Sequence, residues 1–229
     1  MANLSQKILR FLIIIAVLFL GNSSTAHLAG EPPFAAASLN PETKQVVVVQ
    51  PRGEKQDNGV LSCWEQAAGQ WRQVSGPVAV MLGKNGVISP DRKTEGDGCV
   101  PAGTYALQRV FGYDSTADTN LQYHPLTEDD YWVDDPASAA YNQLVKGRPA
   151  SGSFETMRRS DGMYRLGIVV EYNTEPIIPG KGSAIFIHIW RAPGVTTLGC
   201  VAMDESSMRE LVKWLDSRQR PVIIIKTGQ

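Results

Sequence analysis

GSAIFIHIWRAPGVTTLGCVAM, residues 182–203, is the stretch whose reading decides the fold. Within it, Ala184 to Trp190 is apolar on both faces and rich in isoleucine and aromatic residues, which suits a central strand of a sheet. That strand carries His188. A short loop with Pro193 and Gly194 follows, and Gly199-Cys200 closes it just before a helix-like segment. The loop is long enough to fold back and set thiol against imidazole. A cysteine and a histidine so placed suit nucleophilic catalysis, in which the thiolate attacks and the imidazole takes its proton. The residue types alone equally allow a satisfied core histidine and a small buried cysteine.

Downstream, Asp204 has the chemistry of an N-cap and Glu205 adds negative charge to a first helical turn. Met208, Leu211, Val212 and Leu215 recur at helical spacing, predicting one helix over about 204–218. Val222 to Ile225, after Pro221, reads as a final strand. Upstream, Tyr164 to Tyr172 is the second strong strand signal. Val46 to Gln50, Gly59 to Trp64, Gln70 to Ser75 and Pro77 to Leu82 follow one another as short strands split by turns. Gly83 to Tyr113 is glycine-rich without a phosphate-cradling spacing, and reads as a long structured hairpin connection leading into a strand over Thr104 to Phe111. The fold class is mainly β with one clear helix.

Asp114 to Ser160 is polar with aromatic patches. Asp129, Asp130, Asp134 and Asp135 flank Tyr131-Trp132-Val133. Carboxylates beside aromatic rings can hold an amine-bearing ligand; solvated loop acids beside a core tryptophan are the simpler reading. An EF-hand spacing is absent.

The N-terminus reads as an address. Lys7 and Arg10 precede an apolar run from Phe11 to Leu20, and Ser24-Thr25-Ala26 offers small residues for cleavage, so residues 1–26 are expected to be a signal peptide and 27–44 a proline-containing linker. Residues 45–229 form the expected domain, exported to the periplasm or cell envelope, with membrane contact only during export. Losing Lys7 and Arg10 takes the formal charge from −1 to about −3, which argues against nucleic acid as the partner.

Export places the three cysteines where disulfides can form. Cys63 and Cys99 lie beside turn-rich sequence, so we expect a bridge between them and a free Cys200; three reduced, inert cysteines are the alternative. Of the histidines, His27 falls in the expected linker and His124 in irregular sequence, leaving His188 as the base. No CxxC or HExxH spacing suggests zinc, so no metal or cofactor is expected.

Several short motifs together resemble the L,D-transpeptidase family (YkuD-like catalytic domain). They are His188 followed by Thr197-Leu198-Gly199-Cys200, with GKNG at 83–86, EGDG at 95–98, PAGTY at 101–105, FGY at 111–113, WVDDP at 132–136 and GSAIFIHIW at 182–190. The likeness runs over most of Val46 to Lys226. It implies a sandwich or barrel-type domain and an envelope enzyme acting on peptidoglycan tetrapeptide stems. Its cysteine attacks the L,D bond after the diamino acid and expels D-alanine, and a second amine or water resolves the thioester. Carried over by motif, Cys200 is the nucleophile, His188 the general base, and Gly199 with the Cys200 amide the oxyanion region. Leu198 stands where the motif has a second histidine, which leaves open a changed acceptor, a hydrolytic L,D-carboxypeptidase, or a silent wall-binding module. Arg191, Glu171 and Tyr172, near the site in sequence, are candidate substrate contacts.

Overall fold

The structure, a computed structural model, describes residues 31–228. The expected signal peptide and His27 lie outside the described residues. In chain order the strands are β1 (Gln45–Arg52), β2 (Asn58–Ala67), β3 (Gln70–Met81), β4 (Val87–Ile88), β5 (Val100–Pro101), β6 (Gly103–Gly112), β7 (Gln122–Pro125), β8 (Asp130–Val133), β9 (Leu144–Lys146), β10 (Phe154–Thr156), β11 (Leu166–Val170), β12 (Phe186–Ile189), β13 (Val201–Met203) and β14 (Val222–Ile225). One helix, α1 (Glu205–Trp214), lies between the last two.

The large sheet runs β11-β12-β13-β3-β2-β1-β14-β6-β7, and β11 also pairs with β6, which closes it into a barrel. The residues explain the closure. Val46 to Val49 are all buried because β1 sits between β2 and β14 with both faces covered: Val47 and Val49 enter the main core, Val46 and Val48 a second cluster with Trp64. Burying each valine contributes roughly 1.5–3 kcal/mol. β6 is long enough to meet β14 through Gly103 to Ala106 and β11 through Leu107 to Gly112. The expected helix forms, capped by Asp204 accepting from the Ser207 N–H, and it seats Met208, Leu211 and Val212 in the main core. It ends at Trp214, and Ser217–Gln219 continues as a separate 3-10 turn.

Four local expectations change. The two strands expected over 70–82 are one strand, β3, hydrogen-bonded along most of β2. The connection after Gly83 is not a hairpin, since β4 and β5 pair in parallel. Positive φ at Gly86, Gly96 and Gly98 lets its turns fold tightly. Part of the polar segment 114–160, where no strand is expected, forms a three-stranded sheet in the order β10-β8-β9, and His124, expected in irregular sequence, lies on β7. Trp132 on β8 is buried, as the simpler reading of that region expects, but Asp130 is buried as well rather than solvated. Finally, the described part of the expected linker lies against the domain: Phe34 packs edge-on to Trp64 and Trp71, and Lys44 N–H donates to Gln219 O.

Candidate active site

β12 and β13 run parallel with His188 opposite Ala202, so the residue preceding β13, Cys200, is carried to the start of the strand that bears the histidine. The loop expected to fold back does so. Both side chains line one cavity of about 450 Å³. The Cys200 thiol donates to Ala184 O (3.2 Å) and accepts from the Phe186 N–H (3.4 Å). Burial, then the nearby Glu155 charge, pushes this thiol up to about 12, so it rests protonated.

His188 is buried, and its Nδ1 lies 2.9 Å from Ile189 O. A carbonyl only accepts, so Nδ1 carries the proton and Nε2 is left as the acceptor. Desolvation takes the imidazole down to about 4, which keeps it neutral and able to receive a proton near pH 7. The ring also meets Tyr164 edge-on, with centroids 5.4 Å apart. What orients His188 is thus a backbone carbonyl and an aromatic edge.

The Cys200 N–H donates to no acceptor among the described residues and is available to a developing oxyanion. The Gly199 N–H is not, because it donates to Thr197 Oγ1 (3.2 Å). Gly199 acts through its backbone instead. Its φ is +142°, and a Cβ there would stand 3.0 Å from Cys99 O. Leu198 is 77 % exposed on the cavity rim and makes no polar contact with the nucleophile.

Three sequence expectations are corrected. Cys63 and Cys99 form no bridge; all three cysteines are free. Cys63 faces an apolar pocket with Leu61, Val74 and Trp214, while the Cys99 thiol donates to Asn85 O (3.3 Å) beside the catalytic loop, so the two belong to different environments. Tyr172 and Glu171 do not line the cavity. The Tyr172 hydroxyl donates to Lys181 O, and Glu171 is gripped by Arg109 at 2.8 Å through both oxygens. Arg191 does line it, 3.5 Å from Asp161.

The cavity also holds residues that the sequence reading passed over: Lys93, Glu95, Glu155, Arg159, Tyr164 and Ser183. Tyr164 could have been noticed, since it begins a strong strand signal. Glu155 had no such signal, lying in a strand of three residues. No group of three or more His, Cys, Asp or Glu among the described residues could hold a metal ion, and no described helix is long and apolar enough to cross a membrane.

A mainly β barrel with a neutral imidazole and a protonated thiol lining one cavity defines a cysteine–histidine site of the kind suited to acyl transfer. The chain belongs to the YkuD family, the L,D-transpeptidase catalytic domain, which matches residues 55–224. No curated protein matches it. A similar solved structure is the helical cell shape determining protein Pgp2 from Campylobacter jejuni, at 16 % identity and a TM-score of 0.40 over 81 % of this chain and 49 % of that one. The chain therefore spans about half the length of that protein.

Proposed function

We propose that this protein is an exported L,D-transpeptidase that acts on peptidoglycan tetrapeptide stems in the periplasm or cell envelope, its residues 1–26 serving as the export signal. The observation that carries the reading is the shared cavity: Cys200 and His188 line it together, with the histidine tautomer set by Ile189 O. The family match supports the substrate class.

Chemically, His188 Nε2 takes the Sγ proton as sulfur attacks the carbonyl of the L,D bond. Because the thiol rests near 12 and the imidazole near 4, no ion pair waits in the free protein, and proton transfer accompanies attack. The Cys200 N–H donates a hydrogen bond to the developing oxyanion. The imidazolium then gives its proton to the departing D-alanine amine, leaving a thioester. An acceptor amine attacks that thioester, loses its proton to His188, and the thiol is restored.

Purified protein incubated with tetrapeptide muropeptides and read by mass spectrometry tests this. Loss of D-alanine with cross-linked dimers, both absent in Cys200→Ala, is the expected result. D-alanine release without dimers reassigns the protein as an L,D-carboxypeptidase, and no product from the unaltered protein leaves a wall-binding module.

A further inference from the structure

The cavity around Cys200 holds more acid than its own cations neutralise. Lys93 is held by Asp97 at 2.7 Å and by Thr94 O. Arg159 grips Asp161 through Nε and Nη2, the shortest contact being 2.7 Å. Arg191 turns toward the same Asp161. Three lining carboxylates remain. Glu95 is satisfied by the hydroxyls of Tyr141 and Ser183 and the Gly96 N–H. Glu155 accepts only the Tyr164 hydroxyl on Oε2; Arg159 comes no nearer than 3.9 Å, and Oε1 has no donor among the described residues. Asp134 accepts no hydrogen bond at all from them, and its Oδ1 is buried.

A buried carboxylate oxygen without a donor is costly and persists where something else satisfies it in use. Glu155 keeps 28 % of its side chain open, so an incoming group can reach it within the cavity. Its neighbours act on the chemistry as well. Among charges, Glu155 is the largest that disfavours the Cys200 thiolate; burial first, then Asp134 and Glu95, disfavours the ionised Glu155, while Tyr164 and Arg159 favour it. The missing partner is a cation. These carboxylates do not group as metal ligands. An ammonium, with three N–H donors spread around one charge, suits separated carboxylates better.

We propose that Glu155 and Asp134, which line the same cavity as Cys200, form a subsite for a primary ammonium group of the substrate. This rests on the acyl-transfer reading, in which the stem carries a diamino acid beside the broken bond, and it assigns that residue's free amine to this wall. A bound ammonium offsets the Glu155 charge and thereby favours ionisation of the thiol, so the correct substrate helps to activate its own nucleophile.

The test separates this subsite from the activity. Cys200→Ala protein is titrated by calorimetry with a tetrapeptide stem bearing a free side-chain amine on its third residue, and with the same peptide acetylated there. The free amine binds about tenfold more tightly, and Glu155→Gln or Asp134→Asn in that background brings the two peptides within about twofold. Thermal melts confirm that each variant is folded, and the second substitution stands if the first disturbs Tyr164. Equal binding of the two peptides, or a preference surviving both substitutions, overturns the proposal. In protein that retains Cys200, Glu155→Gln speeds iodoacetamide alkylation of that thiol several-fold near neutral pH; an unchanged rate overturns the coupling between subsite and nucleophile. Amine-selective binding without turnover by the unaltered protein would sink the enzyme reading and keep the subsite, whereas turnover indifferent to acetylation would do the reverse.

Discussion

Cys63 and Cys200 are both buried thiols pushed up to about 12, yet their surroundings differ in kind. For Cys63 desolvation is the whole cause, and the sulfur sits among apolar side chains between β2 and α1. For Cys200 desolvation comes first and Glu155 second, opposed by the Phe186 N–H, Lys93 and Arg159. The resting acidity of a thiol therefore does not single out the proposed nucleophile. What marks it is a cavity shared with an imidazole whose free nitrogen can accept a proton, and a backbone N–H with nothing to donate to.

The sharpest way to break this contrast is to remove each sulfur. Cys200→Ala lowers transpeptidation by about 10⁴-fold or more, while Cys63→Ala leaves kcat unchanged, both read by muropeptide mass spectrometry. Equal loss in the two variants would end the distinction. His188→Ala follows, with kcat/KM falling by about 10²–10⁴-fold because the thiol loses its proton acceptor.

A smaller effect appears in stability. Folded His188 refuses a proton until about pH 4, whereas in the unfolded chain histidine takes one near 6.5. Between these values the unfolded state binds more protons, so stability falls as pH falls through that window, by up to roughly 3 kcal/mol, and this group has no effect above it. Urea unfolding of the unaltered protein against His188→Gln checks this, since the variant should lose that slope. Gly199→Ala forces a side chain onto φ +142° beside Cys99 O and costs roughly 1–3 kcal/mol, with activity reduced by displacement of the Cys200 N–H. Smallest is the stability cost of Cys63→Ala, about 1–2 kcal/mol from the space left against Leu61 and Leu211, measured by thermal melts.

The barrel, and the meeting of Cys200 and His188 at one cavity, were legible because both are written in strong local signals. β1, β11 and β12 are continuous apolar runs, and α1 carries an N-cap and helical spacing, so period and capping sufficed. The accessory sheet was not. β8, β9 and β10 have three or four residues each, too few to show alternation, and side-chain hydrogen bonds support them. Asp130, for example, accepts the Thr127 N–H and hydroxyl and meets His124 at 3.1 Å, none of which leaves a periodic trace. Glu155 on the cavity wall comes from this same region, whereas Asp134 already stood among the carboxylates read as able to hold an amine. Tyr172 and Glu171 misled for a related reason: nearness in sequence to the cavity's strands says nothing about which way a residue beyond the end of β11 turns.

Between β8 and β9, Asn142 has φ +56° and spends its whole amide on others. Its Oδ1 accepts the Trp132 indole and the Ala184 N–H, and its Nδ2 donates to Tyr172 O and Asn173 O. Ala184, itself at φ +52°, is the residue whose carbonyl holds the Cys200 thiol. One amide thus pins the accessory sheet to the latch that restrains the sulfur. Removing that amide therefore unties the accessory sheet and the Ala184 carbonyl together, leaving the Trp132 indole and the Ala184 N–H without their acceptor.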